Sequence, residues 1–256
     1  ATLKEYKKMR GRFDMLFDSA TRIGLFPDTF MSGGHIHVGL TEFLEDPILL
    51  RNFLVDFTNH FELSKGILDL KSKNAQSLRT RQEDNGALDL FISAINKFDR
   101  GELYFENNQK VETALDLAEY YFKEIQMGRE FAKSARYEAL NLQRYNKGSQ
   151  STIEIRSIRA QASFDEFLQE LTLFEARLKY LKDLSNKKIR IPVIDYVDSS
   201  KLGTKKFDKL LVEKFYDYVT ESGLNWDEYK PLIALTDLRR KKIDLKPKVI
   251  MCNSLF

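Results

Sequence analysis

Apolar residues recur at intervals of three and four over residues 2–24. Leu3, Tyr6, Met9, Phe13, Leu16, Phe17, Ala20 and Ile23 fall on one stripe, which predicts an amphipathic helix. Thr2 followed three residues later by Glu5 supplies a capping box at its start, and Gly24 supplies a stop. Asp46 before Pro47 reads as an N-cap and first helical position, with Leu49, Leu50, Phe53, Leu54, Phe57 and Phe61 as the stripe of a second helix to residue 64. Ser163 and Glu166 open a third over 163–183, with Phe164, Phe167, Leu168, Leu171, Phe174, Leu178 and Leu181 inward. Further helices are expected from Val111 to Met127, with Leu115, Ala118, Tyr121, Phe122 and Ile125 inward, over 205–221, and from Trp226. Residues 87–98 fit a helix or a strand equally.

Elsewhere the period is two. Gly33-Gly34-His35-Ile36-His37-Val38-Gly39-Leu40 and Thr152-Ile153-Glu154-Ile155-Arg156-Ser157-Ile158-Arg159 alternate as strands do, and 189–197, IRIPVIDYV, fits a strand with a bulge at Pro192. Strands and helices in this order make an α+β chain. Residues 71–86 and 101–110 are polar and turn-rich. After residue 185 the character changes and Lys and Arg outnumber Asp and Glu by 15 to 10. A core over 1–185 and a mildly basic helical extension over 186–256 are therefore expected.

Composition narrows the function classes. The 256 residues are 43% hydrophobic, enough for a sizeable core. A net charge of +3 and a pI near 8.7 are too mild for a protein that tracks nucleic acid. The one basic concentration, Arg239, Arg240, Lys241, Lys242, Lys246 and Lys248, reads as a solvated tail. Cys252 is the single cysteine, so neither a disulfide framework nor a thiolate metal cluster can form within one chain, and a reducing, cytoplasmic compartment is the expectation. No run reaches the roughly 18 apolar residues that span a bilayer, and no signal peptide opens the sequence. Neither nucleic acid nor membrane is expected as a partner.

The chemistry-bearing residues sit on the two period-two segments. His35 and His37, two of three histidines, project together from one face, and imidazole serves as a metal ligand or a donor to phosphate. Glu154 and Arg156 likewise share a face, as a structural ion pair or as the lining of a site. Arg79 and Arg81 stand two apart in a polar loop and suit phosphate or carboxylate if the loop faces the histidines. His60 lies beside the apolar stripe of its helix and is expected to be packed and satisfied, outside the site.

GGHIHVGL, followed some 100 residues later by Arg136-Tyr137-Glu138-Ala139-Leu140-Asn141-Leu142 and then by TIEIR leading into a helix, resembles the amidoligase family. That family is distantly related to glutamine synthetase and the carboxylate–amine ligases, and the likeness covers about residues 1–183. It implies an antiparallel sheet bearing the His and Glu/Arg strands, backed by helices 2–24, 46–64 and 163–183, as in glutamine-synthetase-like folds. It implies ATP-dependent amide-bond formation through an acyl-phosphate, with ATP and Mg²⁺ or Mn²⁺ as cofactors and a carboxylate and an amine as substrates (peptide, amino acid or protein side chain). Carried over residue by residue, His35 and Glu154 become metal ligands and His37 and Arg156 contact the phosphates. Asn141 and Arg136 shape the site, and Arg79 and Arg81 face phosphate or substrate. Two departures stand out. Gly33 occupies a position where the family usually has Cys, and the family's opening strand with G-x-E-x-E, which carries most of its metal-binding carboxylates, is not found in this sequence. An upstream segment or a partner chain would then complete the metal site. The alternative is a non-catalytic structural or interaction protein that keeps the fold, as a subunit of a larger assembly. A metal-dependent hydrolase built on His35, His37 and Glu154 is a third reading that lacks a general base.

Overall fold

The computed structural model describes residues 2–25, 33–63, 85–127, 138–159, 161–194 and 205–233. Several of its helices begin at a residue whose side chain caps them. Thr2 and Glu5 close the expected capping box on α1 (Leu3–Lys8). The stripe over 2–24 is nonetheless two helices, because the chain leaves helical geometry at Met9 before α2 (Arg10–Arg22). This arm has no fully buried residue and lies along a later helix through Tyr6 and Phe13, the latter stacked on Phe164 at 4.6 Å. Gly24 ends it with φ +79°, a conformation that costs glycine nothing.

Three strands follow: β1 (Gly33–Gly39), β2 (Leu140–Arg144) and β3 (Thr152–Arg159). They form one antiparallel sheet in the order β1-β3-β2, so the histidine strand and the Glu/Arg strand are direct neighbours. Ile153, Ile155, Leu140 and Leu142 point into the core, together with the partly buried Ile36 and Val38. The other face is left for polar groups. The chain is therefore α+β, and helices α3 (Thr41–Leu44), α4 (Pro47–Asn59), α5 (Asn85–Arg100), α6 (Ala114–Tyr120), α7 (Phe164–Asn186), α8 (Lys205–Glu221) and α9 (Trp226–Tyr229) complete it. The ambiguous residues 87–98 are helical within α5. Beyond α6 the chain continues as a π-helical turn over Tyr121–Met127, and Leu115, expected inward, is exposed. That turn presents the Gln126 amide to β2. Its Nε2 donates to the Leu140 carbonyl at 2.7 Å and its Oε1 accepts from the Leu142 N–H at 3.0 Å, which closes that edge of the sheet.

Helix α4 is the centre of the core, buried on every side from Leu49 to Asn59. Its apolar stripe meets the common core, but its polar positions are buried too, and each finds a partner as burial demands. Asn52 donates to the Ile189 carbonyl at 2.8 Å and accepts from the Ile191 N–H at 3.0 Å; Asn59 treats Pro192 and Ile194 in the same way. Arg51 grips Asp99 with two bonds and also bonds the Ile191 carbonyl. These amides, two turns apart, take the place of a neighbouring strand. Residues 189–194 accordingly lie against a helix and do not join the sheet, contrary to the strand expected there.

Asp56, one turn beyond Asn52 on the same helix, engages the C-terminal helices instead. Arg177 of α7 donates to it through Nε at 3.0 Å and Nη2 at 2.5 Å, reaches Glu221 of α8 at 2.9 Å, and lies between the rings of Tyr180 and Tyr218. His60 joins this buried group through Nε2, 3.2 Å from Arg177 Nη2 and 3.6 Å from Asp56, and its Nδ1 meets Glu62 at 2.6 Å, so its expected packed role holds. Leu211, Phe215, Tyr218, Val219 and Tyr229 enter the same hydrophobic core as α4 and α7. Among the described residues no helix is long and apolar enough to cross a membrane.

Candidate functional site on the open sheet face

Strand alternation sets the site. On β1, His35 and His37 are exposed while Ile36 and Val38 are partly buried against the core. On β3, Thr152, Glu154 and Arg156 share the face opposite Ile153 and Ile155. His37 is paired with Glu154 across one ladder and Asn141 with Glu154 across the other, so Glu154 stands at the centre. A bulge in β3, where Arg156 and Ser157 together face one residue of β1, lies opposite His35. Between Gly34 and Ile36 β1 advances two residues, while its partners on β3, Ile158 and Ile155, are three apart. Bulges re-aim side chains, and this one sets the His35 ring beside Glu154.

Gly34 makes the approach fit. A Cβ there would stand 2.8 Å from Gln161 Nε2 and 2.9 Å from two Ile158 side-chain carbons, while Gln161 is held by Glu170 at 2.6 Å. Gly34→Ala is therefore expected to destabilise the fold by about 1–3 kcal/mol, as overpacking does. A urea denaturation series checks this, and a variant as stable as wild type would show that Gln161 yields freely.

Glu154 is fully engaged. Its Oε1 lies 2.9 Å from His35 Nδ1 and accepts from Arg156 Nη1 at 3.2 Å, and its Oε2 accepts from Asn141 Nδ2 at 3.3 Å. Asn141 is oriented for this because its Oδ1 accepts the Gln143 N–H at 2.8 Å. His37 Nδ1 sits 3.2 Å from Thr152 Oγ1. Partial burial, and then the Arg156 guanidinium, lower the His35 pKa against the upward pull of Glu154. With the ring neutral, a proton on Nδ1 faces Glu154 Oε1 and leaves Nε2 its lone pair. Arg156 is largely buried, and among the described residues its Nε has no hydrogen-bond partner. A buried guanidinium donor without an acceptor is costly.

The structure thus brings His35, His37, Glu154, Arg156 and Asn141 onto one face. Arg79, Arg81 and Arg136 lie outside the described residues. Thr152, which engages His37, was missed from the sequence, although its position two residues before Glu154 puts it on the same face. Glu154 and His35 offer one oxygen and one nitrogen to a cation, and among the described residues no three His, Cys, Asp or Glu side chains form a metal-binding group. That falls short of the near-octahedral oxygen shell of Mg²⁺. No family model, curated protein or solved structure matches the chain.

Proposed function

We propose that this chain carries the His and Glu/Arg half of an amidoligase-type site on a glutamine-synthetase-like sheet. The reaction would be an ATP-dependent carboxylate–amine ligation in the cytoplasm. The observation that supports it is the convergence on one open sheet face of the three segments of the amidoligase pattern: His35 and His37 on β1, Asn141 on β2, Glu154 and Arg156 on β3. In this reading a substrate carboxylate attacks the γ-phosphorus of ATP, ADP leaves, and an amine displaces phosphate from the acyl-phosphate. Arg156 and His37 hold the phosphoryl oxygens, where charge spreads as the group transfers. Asn141 keeps Glu154 in place, and Arg136, Arg79 and Arg81 are proposed as further contacts to phosphate or substrate. Mg²⁺ or Mn²⁺ would screen the polyphosphate, with His35 and Glu154 as two of its ligands. Those two donors do not complete a shell, so further carboxylates would come from an upstream segment or a partner chain. The roles assigned here are therefore confined to binding and orientation by the chain's own groups.

One observation favours the second reading, a structural or interaction protein that has kept the fold. Both oxygens of Glu154 are already taken by His35, Arg156 and Asn141, as in a purely structural ion pair. Calorimetric titration of ATP–Mg²⁺ separates the two. A bidentate guanidinium contact to phosphate has about 1.5–3 kcal/mol at stake, or about 10- to 100-fold in affinity. Arg156→Lys keeps the charge and loses the fork geometry, so it should weaken nucleotide binding by about that factor. Equal affinity for both proteins would leave Arg156 only as the partner of Glu154.

A further inference from the structure

The two imidazoles of β1 are held by one device. Side chains two residues apart on a strand share a face, and β3 engages the Nδ1 atom of each: Glu154 Oε1 at 2.9 Å for His35 and Thr152 Oγ1 at 3.2 Å for His37. A ring tied at Nδ1 presents Nε2, and a carboxylate partner both orients such a ring and makes it a better ligand. Both side chains are exposed, and among the described residues neither Nε2 has a hydrogen-bond partner. Two oriented nitrogen donors therefore stand side by side on a strand pinned to the sheet centre.

We propose that His35 and His37 chelate one Zn²⁺ ion through their Nε2 atoms. The donor set decides the metal. Imidazole nitrogen suits Zn²⁺, whereas Mg²⁺ takes oxygen ligands, of which this face offers one carboxylate that is already engaged. With two protein ligands the rest of the tetrahedron falls to water, so the ion exchanges and the site is regulatory rather than structural. Binding needs no nucleotide and stands apart from the ligase reading. Its consequence rests on that reading, because Zn²⁺ at this position would withdraw His37 from the phosphates of ATP and His35 from the nucleotide's metal ion.

The test is calorimetric titration of ZnCl₂, and separately MgCl₂, into the nucleotide-free 256-residue chain in a non-coordinating buffer near neutral pH. One Zn²⁺ per chain is expected, with Mg²⁺ giving no comparable binding, and His35→Gln and His37→Gln should each weaken Zn²⁺ at least about tenfold. Thr152→Val should weaken it less, through loss of orientation, with Thr152→Ser restoring it. Histidine Hε1 resonances of the unmodified protein give a readout that survives a misfolded variant: His35 and His37 should move with Zn²⁺, while the buried His60 should not. Zn²⁺ affinity unchanged in either glutamine variant, movement of one resonance alone, or equal binding of Mg²⁺ would overturn the chelate. Failure of ATP–Mg²⁺ to bind while Zn²⁺ chelation persists would count only against the ligase reading, and the reverse result only against the chelate.

Discussion

Replacing Arg177 with methionine is expected to lower stability by about 3–5 kcal/mol, the cost of removing one member of a buried ion pair and leaving the other charged. Asp56 would lose both guanidinium bonds inside the core, and among the described residues the cation left beside it would be His60, 3.6 Å away. Glu221 would lose a partner at 2.9 Å, and the stack between Tyr180 and Tyr218 would lose its middle layer. Because the three groups belong to α4, α7 and α8, the loss loosens the packing of the C-terminal helices on the centre of the fold. Arg177→Lys should fall between, since an ammonium keeps the charge but cannot bond both carboxylate oxygens from one plane. A second variant separates charge burial from packing. Asp56→Leu combined with Arg177→Met removes both charges and refills the space, so it should recover much of the loss in a double-mutant cycle. Urea denaturation with an unchanged m-value is the measurement. A single-variant loss below about 1 kcal/mol, the range of exposed pairs, would mean that water reaches Asp56.

The sheet was legible in the sequence because Gly34–Leu40 and Thr152–Arg156, which carry the histidines and the Glu/Arg pair, alternate. Period two alone puts His35 with His37, and Glu154 with Arg156, with no knowledge of how the strands pair. Caps were legible for the same kind of reason, since Asp46, Ser163 and the Thr2–Glu5 pair act within a turn of where they stand. What could not be read were choices decided by distant partners. The stretch 189–194 has a strand's composition, yet it lies on α4 because Asn52 and Asn59 offer the bonds a strand would. The apolar stripe of α4 is legible, but the burial of Asn52, Asp56 and Asn59 as anchors of polar networks depends on distant partners. Their spacing at four and three residues in a helix without lysine was the available signal. The β3 bulge opposite His35 is fixed by the β1–β3 register, and its local trace is the break in alternation at Arg156-Ser157.

Stability is expected to peak near about pH 6.5, the ordinary histidine pKa, because His35 and His60 titrate with opposite sign. His60 is deeply buried, which by itself lowers its pKa. Glu62 and Asp56 outweigh that, so its pKa in the fold is raised, with Arg177 opposing. A raised folded pKa means that the native state holds a proton the unfolded chain releases. This contribution is complete below the unfolded pKa and is lost as pH rises through the folded one. The groups facing His60 do not titrate away with it: Arg177 is pushed further up and stays charged, and burial holds Tyr218 well above its usual range and neutral. His35 works in reverse. Burial and Arg156 lower its pKa, so the folded protein resists protonating it, and stability declines as pH falls below the unfolded value. Its ring is 41% exposed, which makes this limb the shallower. The His60 limb is the steeper, with a slope that can approach about 1.4 kcal/mol per pH unit for one proton. Denaturant midpoints measured from pH 5.5 to 8.5 should trace both limbs. His60→Gln should flatten the alkaline one and leave the acidic one in place, and His35→Gln should do the opposite. Stability that climbs steadily from neutral to alkaline pH in the wild-type chain would show that His60 is held as the neutral base, and that Glu62 and Asp56 do not overcome the cost of burying its charge.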